Sequence, residues 1–360
     1  MHIKILLQAL NQPWFIQPEA AQYNAAILHN IIAGQSLNTT GLDDKPVKEI
    51  AYATNALGQR TGNIQDANDD AIAVINIRGA LMKYDYCGAP GTQSIMNALQ
   101  QANNIPSISA IILQFDSPGG SVDGTQQLAN AIKSSAKPVV AYINGMMCSA
   151  AMWLGSAASM RIASSNTDII GSIGTMTSWN DFKGYYEKMG IKTHEVYASN
   201  STQKNLPFRE ANADNVKGEP NYDPLIKTWL DPLNSEFISA IEKNLPGIDK
   251  TVLSGGHYLA IEAKKKGLID RIGTFESAIE SAIQLGKKHK DAKPAAQIKS
   301  GQAIMDQSNI VLAASRKIVN QVAGMGHAGT SMPKPENISA RQKVGAMEMP
   351  FQKALLKMVE

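Results

Sequence analysis

Between Asp70 and about Gln284 the chain alternates short apolar runs with stretches in which apolar residues recur every three or four positions. Ala71-Ile72-Ala73-Val74-Ile75-Asn76-Ile77, Ala110-Ile111-Ile112-Leu113-Gln114-Phe115 and Pro138-Val139-Val140-Ala141-Tyr142-Ile143 read as buried strands, being short and rich in β-branched residues. Between them, Thr92 to Asn103 sets Ile95, Leu99 and Ala102 on one helical face, and Val122 to Ser134 reads as a second helix. Strand–helix alternation of this kind predicts an α/β architecture with a largely parallel sheet. The zone does not repeat, so the domain is expected in single copy.

Outside this zone the pattern loosens. Residues 12–34 read as a short helix, with Pro18 near its start, Ala21, Ala25, Leu28 and Ile32 in helical spacing, and Gly34 as a stop. Residues 35–69 are rich in Asn, Asp, Gly and Thr and read as a linker or loosely packed arm. After Lys287-Lys288-His289-Lys290 and Pro294 comes a Gln-, Ser-, Ala- and Gly-rich stretch with little periodicity. The expected organisation is an N-terminal helix and polar arm over 1–69, a main domain over 70–285, and an extension over 286–360. That extension has too little apolar area to offset chain entropy, so it is expected to be mobile or scaffold-like.

Composition narrows the class only slightly. An apolar fraction of 44% and a charged fraction of 18% are those of a globular protein. The net charge of +3 hides an asymmetry, because residues 281–360 hold twelve Lys or Arg against five Asp or Glu. A solvated tail is the expected reading of that basic end, with an acidic protein surface as a possible partner and nucleic acid as an unfavoured one. The two cysteines, Cys87 and Cys148, make no disulfide framework, and Cys148 reads as a small buried thiol. The apolar stretch Ile5 to Leu10 is shorter than a signal-peptide core, and no window approaches the ~18–20 apolar residues of a membrane span. No membrane segment, metal or cofactor is expected.

Two strand ends carry candidate chemistry, since ligands of open α/β sheets bind beyond the carboxyl ends of the strands. After Phe115 comes Asp116-Ser117-Pro118-Gly119-Gly120-Ser121, whose adjacent glycines let main-chain N–H groups approach a ligand. After Ile143 comes Asn144-Gly145-Met146-Met147-Cys148-Ser149-Ala150-Ala151, which puts a serine at the start of a helix. The Ser149 hydroxyl has two readings, a helix cap or a nucleophile paired with N–H donors of the preceding loop. None of the six histidines lies between 150 and 193, and His194 falls in Ile191 to Val196, an apparent strand. Lysine is the other available base. Lowering its pKa by about 3 units, so that it is neutral near pH 7, costs roughly 4 kcal/mol, which burial and a hydroxyl neighbour can supply. Lys183 and Lys188 read as solvated on a helix, whereas Lys204 follows the polar turn Ser199-Asn200-Ser201-Thr202-Gln203.

Taken in order, Asp116-Ser117-Pro118-Gly119-Gly120, Ser149-Ala150-Ala151, Gly171-Ser172-Ile173-Gly174 and Gly267-Leu268-Ile269-Asp270 resemble the signal peptide peptidase A (protease IV) family over about residues 70–280. The resemblance implies a spiral crotonase/Clp-protease-like fold and a serine endopeptidase with a Ser–Lys dyad. It implies Ser149 as nucleophile, Lys204 as base, the N–H groups of Gly120 and Ala150 as oxyanion donors, Gly119 as support for that turn, and Ser172 as a hydroxyl beside the lysine. The family's turn before the lysine usually has glycine and is followed by aspartate; here Ser199-Asn200 and Asn205 stand instead. Gln12-Pro13-Trp14-Phe15-Ile16-Gln17-Pro18-Glu19 resembles the phage and prophage branch that acts in head maturation. That branch implies a peptide or protein substrate such as capsid or scaffold protein, a homo-oligomer with active sites between subunits, and a location in the host cytoplasm or the prohead. The alternatives are a soluble peptide-degrading enzyme of the same family, an acyl-CoA enzyme of the same fold, and a non-catalytic assembly protein.

Overall fold

The structure, a computed structural model, describes residues 14–16, 50–85, 88–179, 183–190, 192, 194–212 and 220–292. Its elements run β1 Trp14–Ile16, β2 Ala51–Thr54, β3 Arg60–Gly62, β4 Ala71–Arg78, α1 Thr92–Asn104, β5 Ile108–Ser117, β6 Gly119–Ser121, α2 Thr125–Lys133 and β7 Val139–Cys148. They continue with α3 Ala150–Ser156, β8 Met160–Ala163, β9 Ile169–Gly171, α4 Lys183–Lys188, α5 Leu206–Asn212 and α6 Asp223–Leu225. A π-helical stretch, Ile226–Leu230, leads into α7 Asp231–Asn244, followed by β10 His257–Leu259, α8 Ala260–Lys265, β11 Arg271–Ile272 and α9 Phe275–Ala292.

The main sheet has the order β10-β9-β7-β5-β4-β2-β3, with β8 paired to both β7 and β11. The neighbours β4, β5, β7, β8 and β9 run parallel, while β2, β3 and β10 join antiparallel. The apolar runs are continuous because both faces of the central strands are covered. On β4, Ala71, Ala73, Ile75 and Ile77 enter one core with α1, α2 and α3, whereas Ile72 and Val74 enter a second core with Ala278, Ile279 and Ala282 of α9. β5 and β7 divide in the same way, with Ile111, Leu113, Phe115, Val139, Ala141 and Ile143 on the first side. The crossovers from β4 to β5, β5 to β7 and β7 to β8 lay their helices, α1, α2 and α3, on the first face, and the chain advances stepwise across the sheet.

The predicted α/β elements stand, with three corrections. Trp14–Ile16 is a strand rather than part of a helix, and the remainder of 12–34 lies outside the described residues. Residues 51–54 and 60–62 belong to the main sheet, with Ala51 and Ala53 in its core, so the sheet begins before residue 70. Ala51, Ala53 and Thr54 are buried and small enough to pack where the polar composition suggests only a loop. At the other end, α9 continues past residue 285 to Ala292, because Lys290 pairs with Asp70 and Gly286 lies flat on Ser109 O, which a Cβ would meet at 3.0 Å. Residues 293–360, with most of the basic extension, lie outside the described residues, as does Cys87.

Candidate functional site

The site is assembled by register. β5 and β7 are neighbours with Ser117 opposite Met147, so the segments that follow them, Gly119-Gly120 and Cys148-Ser149, emerge side by side. β7 splits along its length: Val140 to Ile143 pair with β8, and Met146 to Cys148 pair with β9, with Cys148 opposite Gly171. Ser149 therefore stands next to Ser172, and its N–H donates to Gly171 O at 2.7 Å. The structure thus brings Gly119, Gly120, Ser149, Ala150 and Ser172 to one end of the sheet.

Backbone strain concentrates there. Of the four non-glycine residues with positive φ among those described, two are Ser149 (52°) and Ser172 (53°); the others are Asp70 (61°) and, beside Lys204, Asn205 (56°). Ser149, with φ 52° and ψ −117°, occupies a tight strand-to-helix turn that L-residues disfavour by about 1–3 kcal/mol. The bend is over-determined on every side. Ser149 O accepts from Trp153 N at 3.0 Å, α3 is buried throughout, and Trp153 stacks on Phe237 with centroids 5.0 Å apart. Ser172 is fixed in the same manner, its N–H donating to Gly256 O at 2.7 Å.

The cap reading of Ser149 fails, since its side chain makes no capping hydrogen bond. Its hydroxyl instead faces Gly174 O at 3.5 Å, a long contact for an O–H donor. Ala150 is the first helical residue, and an N–H at that position has no partner within its own helix. Gly119 has φ 102°, and a Cβ on Gly120 would lie 1.9 Å from Leu81 O, so only glycine lets this segment press against Leu81. Residues 119–121 form β6 where a turn running into a helix is expected, because Leu81 N donates to Gly119 O (2.8 Å) and Ser121 N to Leu81 O (2.7 Å).

Among the described contacts, no side-chain hydrogen bond or ion pair joins Lys204 to this cluster. Lys204 is exposed, in a turn closed by its own N–H donating to Ser201 O at 3.1 Å. His194 is exposed in non-regular chain rather than on a strand, and Val196 beside it is 93% exposed. Lys183 and Lys188 lie exposed on α4, as predicted. Cys148 is fully buried with Sγ 3.5 Å from Ile169 O, which agrees with a structural thiol. A groove lined by Val122, Asp123, Gly124, Trp153, Leu233 and Glu236 opens beside the end of β6.

Sequence reasoning left Gly171 and Asp168 unassigned. Gly171, with φ 117° and a would-be Cβ 2.8 Å from Gly256 O, is what lets β9 close on Ser149. Asp168 gathers Gly145 N, Ser164 N and Ser165 N around one carboxylate and so fixes the turn before β9. The Gly267 to Asp270 motif is structural: Asp270 receives Arg161 N (2.7 Å) and pairs with the Arg161 guanidinium (2.8 Å), which docks β11 on β8. Among the described residues, no helix is long and apolar enough to cross a membrane, and no group of three His, Cys, Asp or Glu is placed to hold a metal ion.

Residues 131–289 match Peptidase family S49. The chain is similar to Capsid assembly protease C of Escherichia phage lambda, 31% identical over 215 residues, covering 57% of this chain and 49% of the relative. It is similar to Protease 4 of Haemophilus influenzae, 30% identical over 229 residues, covering 61% of this chain and 35% of the relative. The chain therefore spans half or less of the length of these relatives. Among solved structures, ClpP1 from Listeria monocytogenes overlaps 57% of this chain and 94% of its own, at 14% identity and a TM-score of 0.38.

Proposed function

We propose that this chain, which carries a domain of Peptidase family S49 over residues 131–289, is a serine endopeptidase whose nucleophile is Ser149. The observation that carries the reading is the strained, cap-free Ser149 at φ 52° and ψ −117°, set between the Gly119-Gly120 segment and Ser172. Stability alone does not favour a serine in that conformation, whereas strained positions cluster where chemistry needs them.

The chemistry follows from the groups present. Ser149 Oγ adds to the carbonyl carbon of the scissile peptide, and its proton passes to the base. The N–H groups of Gly120 and Ala150 donate to the oxyanion, a role worth about 2.7–4 kcal/mol per donor in comparable sites. Collapse expels the amine, which takes the proton from the base and leaves an acyl-serine that water then hydrolyses by the same steps. Lys204 is the proposed base and Ser172 the hydroxyl that supports it. A lysine base needs a desolvated setting, and Lys204 is exposed on the single chain. A second copy of the chain is the natural source of that setting, so the dyad is proposed to form between copies.

A surface suited to such packing lies near that turn. Phe208, on the helix that follows Lys204, meets Trp179 and Trp229 edge-on at centroid distances of 5.9 and 5.7 Å, and Trp179 meets Tyr222 at 6.0 Å. Tyr222 and Trp229 of this cluster, and Ile226 between them in the chain, remain 39–47% exposed, apolar surface of the kind that copies of a chain cover. The likeness to a capsid assembly protease supports capsid or scaffold protein as substrate, and the prohead or host cytoplasm as the place of action. The test is cleavage of an unfolded protein substrate, read by product masses, with wild type beside Ser149→Ala. Wild type should cleave and the variant should not, at equal thermal stability. A well-folded Ser149→Ala protein with full activity would overturn the assignment.

A further inference from the structure

The short strand β1 lies on the site itself. It pairs antiparallel with β6 in the register Trp14 to Ser121, Phe15 to Gly120 and Ile16 to Gly119. The opposite edge of β6 is taken by Leu81, which bonds Gly119 O and Ser121 N. Successive residues of a strand turn their N–H and C=O groups to opposite edges, so the N–H and C=O of Gly120 face Phe15. The amide proposed as an oxyanion donor is thus turned toward main chain at Phe15. Addition of an extended segment to a sheet edge is a general mode of peptide binding, in which affinity comes from main-chain hydrogen bonds.

We infer that Trp14–Ile16 is a cis occupant of the edge on which peptide substrates bind, with Phe15 where the residue bearing the attacked carbonyl would sit, so that the chain's own N-terminal strand competes with substrate. The inference rests on the peptidase reading for the word substrate, but the occupancy of the edge does not depend on catalysis. Three residues make a weak ligand by themselves. Tethered to the same chain, they face the edge at an effective concentration on the order of mM, enough to exclude poor peptides and to yield to good ones. The edge is also chemically suited to exchange, because Gly119 and Gly120 contribute no side chains and the interaction is read through the backbone.

The experiment compares the full chain with a chain lacking residues 1–17, both carrying Ser149→Ala so that nothing is consumed. A fluorescent peptide of sequence Gln-Pro-Trp-Phe-Ile-Gln-Pro, that of residues 12–18, is titrated into each and followed by anisotropy. Amide hydrogen exchange is followed at Gly120 and Ser121. The expected result is binding to the truncated chain at least about tenfold tighter than to the full chain, the tether being absent. Gly120 should lose protection on truncation and regain it with peptide, while Ser121, held by Leu81, should change little. Should the truncated chain fail to fold, full-length Phe15→Pro, which removes one N–H from the pairing, replaces it with the same expected result. Equal binding to both chains, or unchanged exchange at Gly120, overturns the inference. With Ser149 restored, truncation should lower KM and leave kcat unchanged. Hydrolysis with an unchanged KM refutes the cis occupant and spares the peptidase. Binding and exchange as expected without hydrolysis of any peptide refutes the peptidase and spares the occupant.

Discussion

Replacing Ser149 by glycine is expected to stabilise the chain while abolishing hydrolysis. Ser149 holds φ 52° and ψ −117°, where a β-carbon costs about 1–3 kcal/mol and glycine is free of that penalty. Against this stands the greater freedom of glycine in the unfolded chain, about 0.5–1 kcal/mol. The hydroxyl itself contributes little, since its contact with Gly174 O is 3.5 Å long. The net expectation is a gain of about 1 kcal/mol for Ser149→Gly, a rise in Tm of about 2–4 °C for a domain of this size. Ser149→Ala keeps the Cβ and the strain, and should lie within about 0.5 kcal/mol of wild type. A serine serving as a helix cap behaves differently: alanine then costs about 1 kcal/mol and glycine a few tenths. Thermal and urea unfolding of the three proteins separates the two patterns. A Ser149→Gly protein less stable than wild type, with Ser149→Ala lower still, would refute the argument from strain.

Gly120→Ala places a Cβ 1.9 Å from Leu81 O, so β6 must shift, and kcat should fall on the order of 10²–10³-fold in a chain whose circular dichroism is retained; unaltered kcat would remove Gly120 from the oxyanion role. Lys204→Ala and Lys204→Arg should both be inactive, since guanidinium does not deprotonate at usable pH, and mixing Lys204→Ala with Ser149→Ala should restore part of the activity if the dyad spans two copies. No recovery after verified subunit exchange would place both residues of the dyad in one chain. Asp249 is held down at about 2, below its ordinary 3.8, chiefly by the hydrogen bond from Lys266 and then by Thr251. Because the folded value is the lower one, its stabilisation is present above about pH 4 and lost as pH falls toward 2. The Tm difference between wild type and Asp249→Asn should shrink across that window, and a constant difference would show that the carboxylate is not the cause.

Much of the sheet was legible because its central strands are covered on both faces. Apolar runs such as Ala110 to Phe115 leave no other economical reading, and the adjacent glycines 119 and 120 announce a close backbone approach, whereas the role of Gly171 emerged only from its contact with Gly256. The N-terminal strands were less legible for a physical reason: β1 and β3 are three residues long and β2 four, too short to show a period, and the partner of β1 is β6, more than a hundred residues away in the chain. The extent of α9 was hidden by its polar end, where Lys290 gains its partner Asp70 from far along the chain. Within the site, the sequence order of Gly120, Ser149 and Ser172 matched a family pattern, but only register made them neighbours. Lys204 was legible by position in that pattern alone, and its exposure in one chain gives the pairing between copies its physical motive.

The most direct test of the central claim is covalent labelling. A fluorophosphonate, which phosphonylates activated serines with loss of fluoride, is applied to the native chain, and the adduct is located by peptide mass mapping. One adduct is expected, on Ser149, absent from Ser149→Ala and from heat-unfolded wild type, and formed much more slowly on Lys204→Ala. An adduct on a different serine, or none on a chain that cleaves peptides, would contradict it.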